Sequence, residues 1–99
     1  MENDSILMAY YKKCKANLDS PIALDMCDTL FVRSEKAGNR RLMAIAKCLK
    51  LDYYYYKNDE ENILKSVKEA KLISRKYNQL KYYYFAWGSR LIIYYLKQN

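Results

Sequence analysis

Slide the chain along itself until Gly38 falls on Asn78, and it meets its own landmarks. Both of those residue types tolerate the left-handed backbone that ends a helix. In the same alignment Ala23 falls on Ile63 and Cys27 on Val67. Ala46 falls on Ala86, Leu51 on Leu91, Tyr54 on Tyr94, Tyr55 on Tyr95, Lys57 on Lys97, and Asn58 meets Gln98. Breaks, apolar positions and helix ends recur together. A fixed period of about 20 to 50 residues marks a stack of repeated supersecondary units. In 99 residues there is room for two such units and part of a third, as one small domain.

The repeating unit is helical. Two glycines and one proline are too few for the turns of a sandwich or barrel, and a chain that is 52% hydrophobic is not disordered by composition. Residues 4–16 space Ile6, Leu7, Tyr10, Tyr11 and Cys14 as one helical face, with Asp4 or Ser5 as cap. Ser20 and Pro21 predict the start of helix two, whose inner face carries Ala23, Cys27, Leu30, Ser34 and Ala37 before Gly38 stops it. Helix three is expected from about Asn39 to Tyr56, with Leu42, Ile45, Ala46, Leu49, Tyr53 and Tyr56 as its apolar stripe. Asp59 caps helix four, which carries Ile63, Val67, Ala70, Ser74 and Tyr77. Helix five is expected from about Gln79 to Lys97. The organisation reads as repeat one over 4–38, repeat two over 39–78 and one extra helix over 79–97.

Charge is unevenly placed. Residues 1–37 hold five Lys/Arg and six Asp/Glu, a balance of −1; residues 38–99 hold thirteen and five, a balance of +8. The rows also change sign between repeats. Asp25, Asp28 and Glu35 share one face of helix two, and one period on stand Lys65, Lys68 and Arg75. If equivalent helices lie side by side, these rows are placed to pair.

The chain has no histidine, which removes Ser-His-Asp and Cys-His catalysis, and two glycines make no phosphate-binding loop. Cys14, Cys27 and Cys48 form no CxxC, and their odd number points to buried thiols in a reducing compartment such as the cytoplasm. No catalytic residue, metal ligand or cofactor site is assigned, and no apolar run reaches the length of a membrane span. Lysines and arginines interleaved with tyrosines leave one rival to protein binding, a basic helical module for nucleic acid.

The paired helices resemble the tetratricopeptide (TPR) repeat family. Its first-helix signature, W-x2-L-G-x2-Y, is approached in helix five by Trp87-Gly88-Ser89-Arg90-Leu91-Ile92-Ile93-Tyr94, with the Leu displaced by one. Helix three keeps the Tyr as Tyr54, while Lys47 and Lys50 stand where Trp and Leu are expected. Ile63, Val67 and Ala70 take the second-helix places, as do Ala23, Cys27 and Leu30. The period, about 40 residues, exceeds the family's usual ~34, so a HEAT-type array stays open. The resemblance implies an all-α superhelix of five helices, stacked as antiparallel hairpins and cut from a longer array. It also implies a non-catalytic scaffold within a bacterial regulatory or signalling protein. A peptide or partner helix would lie in a groove lined by helices one, three and five. By repeat position Met8, Lys12 and Lys15 would face that groove, then Cys48, Asp52 and Tyr55, then Gly88, Ile92 and Tyr95. The Lys/Asn set that clamps a peptide carboxylate in one branch of the family is not reproduced.

Two aromatic runs complete the reading. In the run Tyr53-Tyr54-Tyr55-Tyr56, successive residues point about 100° apart, so the rings surround the helix and form no single stack. Helix five is apolar nearly all round, and a terminal repeat normally keeps a polar outer side. A homodimer joined through Tyr84, Trp87, Leu91 and Tyr95 is therefore expected.

Overall fold

A computed structural model of the chain describes residues 3–79. Among them are four helices and no strand: α1 (Asp4–Ala16), α2 (Ala23–Lys36), α3 (Arg40–Tyr56) and α4 (Glu60–Lys76). The all-α class and the placement of the first four helices agree with the sequence pattern. The expected fifth helix, with Tyr84, Trp87, Leu91, Ile92 and Tyr95, lies outside the described residues.

The joints are built alike. Gly38, Asn58 and Asn78 all have positive φ, at 71°, 55° and 59°. In each case the next residue's N–H reaches back to a carbonyl in the last turn: Asn39 to Ser34 at 2.8 Å, Asp59 to Tyr54 at 3.1 Å, Gln79 to Ser74 at 2.6 Å. This is a Schellman closure, which satisfies carbonyls a helix end leaves open. Asn39 and Asp59 then start the next helix, their side-chain oxygens accepting from the N–H groups of Leu42 (3.0 Å) and Asn62 (3.3 Å). The same device therefore returns at even spacing, from Gly38 to Asn58 to Asn78, at half the period of the repeat.

Two helix starts differ from expectation. Asn3, not Asp4 or Ser5, caps α1 by accepting from the Ile6 N–H at 2.9 Å. Asp4 falls in the first turn, where its carboxylate accepts from the Asn39 amide at 2.9 Å. Helix two begins at Ala23, later than Ser20 and Pro21 imply. The Ser20 carbonyl accepts from the Ala23 N–H at 3.1 Å and the Ser20 hydroxyl from the Ile22 N–H at 3.3 Å. Both bonds close a tight turn rather than a helical one, and the regular ladder starts with Met26 on Ile22.

Consecutive helices are antiparallel. Asp28 meets Lys50 at 3.3 Å, and the two residues are centred in sequence on Asn39. Lys47 meets Glu69, a pair centred on Asn58. Residues equally distant from a joint on either side meet only if the chain doubles back there. α3 packs against α1, α2 and α4, whereas α2 and α4 do not pack on one another.

The central position of α3 explains its burial. Leu42, Met43, Ala44, Ala46, Cys48, Leu49 and Leu51 are all buried, a much broader face than one stripe. Tyr56, expected on the apolar stripe, is 68% exposed. Two clusters form the core. Cys14, Met26, Cys27, Leu30, Ala46 and Leu49 lie between α1, α2 and α3; Cys48, Leu51, Ile63 and Ala70 lie between α3 and α4. Ala23, Cys27, Leu30 and Ser34 are buried as expected, and so are Ile63, Ala70 and Ser74.

The acidic row of α2 and the basic row of α4 do not meet within the chain. Lysines of α3 stand between them: Lys50 takes Asp28, Lys47 takes Glu69, and Lys65 is held by Glu61 one turn back in its own helix. Lys47 is itself well covered. Its ammonium lies 4.2 Å from the centroid of the Phe31 ring and its side chain is only 14% exposed, so the stem fills space between α2 and α4.

Candidate functional site

Among the described residues, a cleft of about 1000 Å³ opens between α1 and α3. Its floor on α3 follows the helical period through Arg41, Ile45, Cys48, Leu49, Asp52, Tyr53 and Tyr56. The opposite wall comes from Tyr11, Lys15 and Ala16 of α1 and from Leu18 and Asp19 of the first joint. That joint spans residues 17–22, twice the length of the others, and its extra residues carry Leu18 and Asp19 to the cleft's edge. Lys57 closes one end.

The lining joins rings to charges of both signs. Tyr11, Tyr53 and Tyr56 supply faces and hydroxyls, Lys15, Arg41 and Lys57 positive charge, Asp19 and Asp52 negative charge. Edge-on contacts link Tyr53 to Tyr54 at 5.3 Å and Tyr55 to Tyr56 at 5.7 Å between centroids. The Lys57 ammonium lies 5.6 Å from the centre of the Tyr53 ring. Such contacts fix ring orientation before anything binds.

Of the residues singled out for a groove, Lys15 and Asp52 line this cleft, together with Cys48. Lys12 is exposed on α1 outside it, and Met8 lines a smaller hollow near Gly38 and Gln79. Tyr55 lies just past the edge of the floor and packs, with Tyr54 and Val67, against the core between α3 and α4. Tyr53 and Tyr56, which the sequence pattern assigns to the apolar stripe, are the two rings of the run that reach the cleft. Arg41, Leu18 and Asp19 have no sequence signal as cleft residues, because the path of the first joint places the last two.

The cleft's thiol sits in surroundings that disfavour its thiolate. Burial, with a smaller effect from the charge of Asp52, pushes the Cys48 pKa up to about 12, so it stays protonated at neutral pH. Burial first, then neighbouring charge, does the same for Cys27, also to about 12. Cys14 is raised as well, and its Sγ donates to the Met26 carbonyl at 3.6 Å. Burial alone would lower the Lys50 pKa. The charge and hydrogen bond of Asp28, with Glu69 and Tyr54, outweigh it and hold the ammonium above its ordinary value. Among the described residues no group of three His, Cys, Asp or Glu is placed to hold a metal ion, and no helix is long and apolar enough to cross a membrane.

No model of a known protein family matches the chain, and neither a curated protein nor a solved structure matches it.

Proposed function

We propose that the chain is a TPR-like, non-catalytic protein-interaction scaffold whose α1/α3 cleft receives a peptide or partner helix. The observation that carries this is the cleft itself: preformed, open, and lined by rings and opposed charges rather than by a paired nucleophile and base. Its volume lies at the upper end of the ~300–1,000 Å³ common for binding clefts, and its length along α3 suits a chain segment. The packing supports a superhelical reading. α1 touches α3 while α2 and α4 stand apart, so the stack splays on the α2/α4 side and curves around α1 and α3. A curved helical array presents an extended concave surface of this kind. The reading extends to a place within a bacterial regulatory or signalling protein through the family resemblance alone.

The test is to pan a displayed-peptide library against the chain and titrate the recovered peptides calorimetrically. Tyr53→Ala and Asp52→Lys are expected to weaken binding at least tenfold, while Lys71→Ala, on the exposed side of α4, leaves it unchanged. Enrichment of no sequence would defeat the proposal. So would salt-sensitive micromolar binding of labelled oligonucleotides that bypasses Tyr53 and Asp52, which would favour the basic nucleic-acid module instead.

A further inference from the structure

We propose that the outer faces of α2 and α4 join two copies of this chain, each α2 lying beside the α4 of its partner. Asp25, Asp28, Val32 and Glu35 fall within about 80° of one another around α2, since successive residues turn by about 100°, and all four are exposed. The residues one period on, Lys65, Lys68, Leu72 and Arg75, occupy the same arc of α4 and are exposed as well. Set side by side and parallel, the two helices match at every step: Asp25 with Lys65, Asp28 with Lys68, Val32 with Leu72, Glu35 with Arg75. Three steps pair opposite charges, and the fourth pairs two apolar side chains left 44% and 66% exposed.

The match has no use within one chain, because α2 and α4 do not pack together. Asp25, Glu35, Lys68 and Arg75 make no ion pair with any described residue. Between copies the match is complete and symmetric. α2 and α4 run the same way, each being antiparallel to α3. A two-fold axis along the helices therefore puts each α2 against the other copy's α4, and one operation satisfies both faces. Such an isologous contact closes at two copies. A second copy is the occupant because the complement of the acidic row is carried by the chain itself, at matching positions. No residue of this surface lines the α1/α3 cleft, so the contact uses none of the residues that the cleft would use.

Charge reversal separates this contact from every other. Asp25→Lys with Glu35→Lys sets like charge against Lys65 and Arg75, and Lys65→Glu with Arg75→Glu sets like charge against Asp25 and Glu35. By light scattering at low salt and high micromolar concentration, the unaltered chain is expected at twice the mass of one chain. It should fall to one in about 0.5 M salt, where exposed charges are screened. Each reversed variant alone is expected at the mass of one chain, with helical circular dichroism retained. An equimolar mixture of the two restores complementarity at both faces and should return to the doubled mass. The single variants Glu35→Lys and Lys68→Glu should each weaken association about tenfold. A single-chain mass for the unaltered protein at low salt would overturn the proposal. So would masses climbing past two copies, or a mixture that stays at one. A doubled mass kept by both reversed variants would also overturn it and move the contact elsewhere, residues 79–97 included.

Discussion

α2 and α4 are the same helix on the inside and opposite helices on the outside. Both bury an apolar residue at the first inner position (Ala23, Ile63), another about two turns later (Leu30, Ala70), and a serine near the end (Ser34, Ser74). The large and small residues have exchanged places. α2 puts its leucine toward the C-terminal half, and α4 puts its isoleucine at the start. Each inner face is thus set by the volume its neighbours leave, and the fold needs only that the total fills the gap. The outer faces share no such constraint with the core, and there the two helices diverge to opposite charge.

The strongest way to break the comparison is to move volume within it. Leu30→Ala is expected to cost about 2–5 kcal/mol of stability by urea denaturation, because Leu30 is fully buried and leaves a cavity. Ala70→Leu, which gives α4 the residue that α2 carries, is expected to cost about 1–3 kcal/mol by overpacking. A cost below ~0.5 kcal/mol for either would mean that the inner faces are not filled by fixed volumes.

A second test uses Cys27, whose equivalent in α4 is the non-titrating Val67. The folded-state pKa values of Cys27 and Cys48 are raised, so the folded chain keeps those protons after the unfolded chain releases them. The stability these groups contribute is fully present below the ordinary thiol value near 9. It is lost as pH rises from there toward about 12. Each thiol should add a slope of about 1.4 kcal/mol per pH unit in that window. Cys27→Val is expected to remove its own share of that alkaline slope, leaving those of Cys48 and Cys14, while shifting stability at pH 7 by less than ~1.5 kcal/mol. An unchanged alkaline slope would show that the α2 site is not closed to ionisation.

The smallest expected effect concerns Ser34 and Ser74. Both hydroxyls are fully buried without a hydrogen-bond partner among the described residues. Their use lies in their size, which suits the last turn of each inner face. Ser34→Ala and Ser74→Ala should each raise stability slightly in urea, by about 0.5–1 kcal/mol, since a desolvated hydroxyl without a partner is a cost. A loss of stability in both would point to a bonded hydroxyl and to a polar role at this position of the repeat.

The sequence pattern locates helices well where burial is one-sided. α2 and α4 each show one inner face, and their residues can be read one by one. α3 is readable in extent but not in phase. It is covered by neighbours on several sides, so its apolar residues form a broad arc whose centre the pattern does not give. Tyr56 falls just outside the arc of Leu49 and Tyr53, and Tyr55 turns toward α4 rather than to the cleft. The choice of ion-pair partners is equally hidden. Charge rows one period apart look like partners in sequence, yet Lys47 and Lys50 intervene in space. In the cleft, Lys15 and Asp52 can be read from repeat position. Leu18 and Asp19 cannot, since they depend on the one joint that is longer than the rest.

The even spacing of the other joints bears on how the chain finds its fold. Both ion pairs that tie one helix to the next close loops of 22 residues, each around a joint with its own local closure. Each hairpin can therefore form from neighbouring segments, without a long search for distant partners. Contacts so near in sequence favour fast folding. They also let either hairpin form first, so the chain can begin to fold from either half.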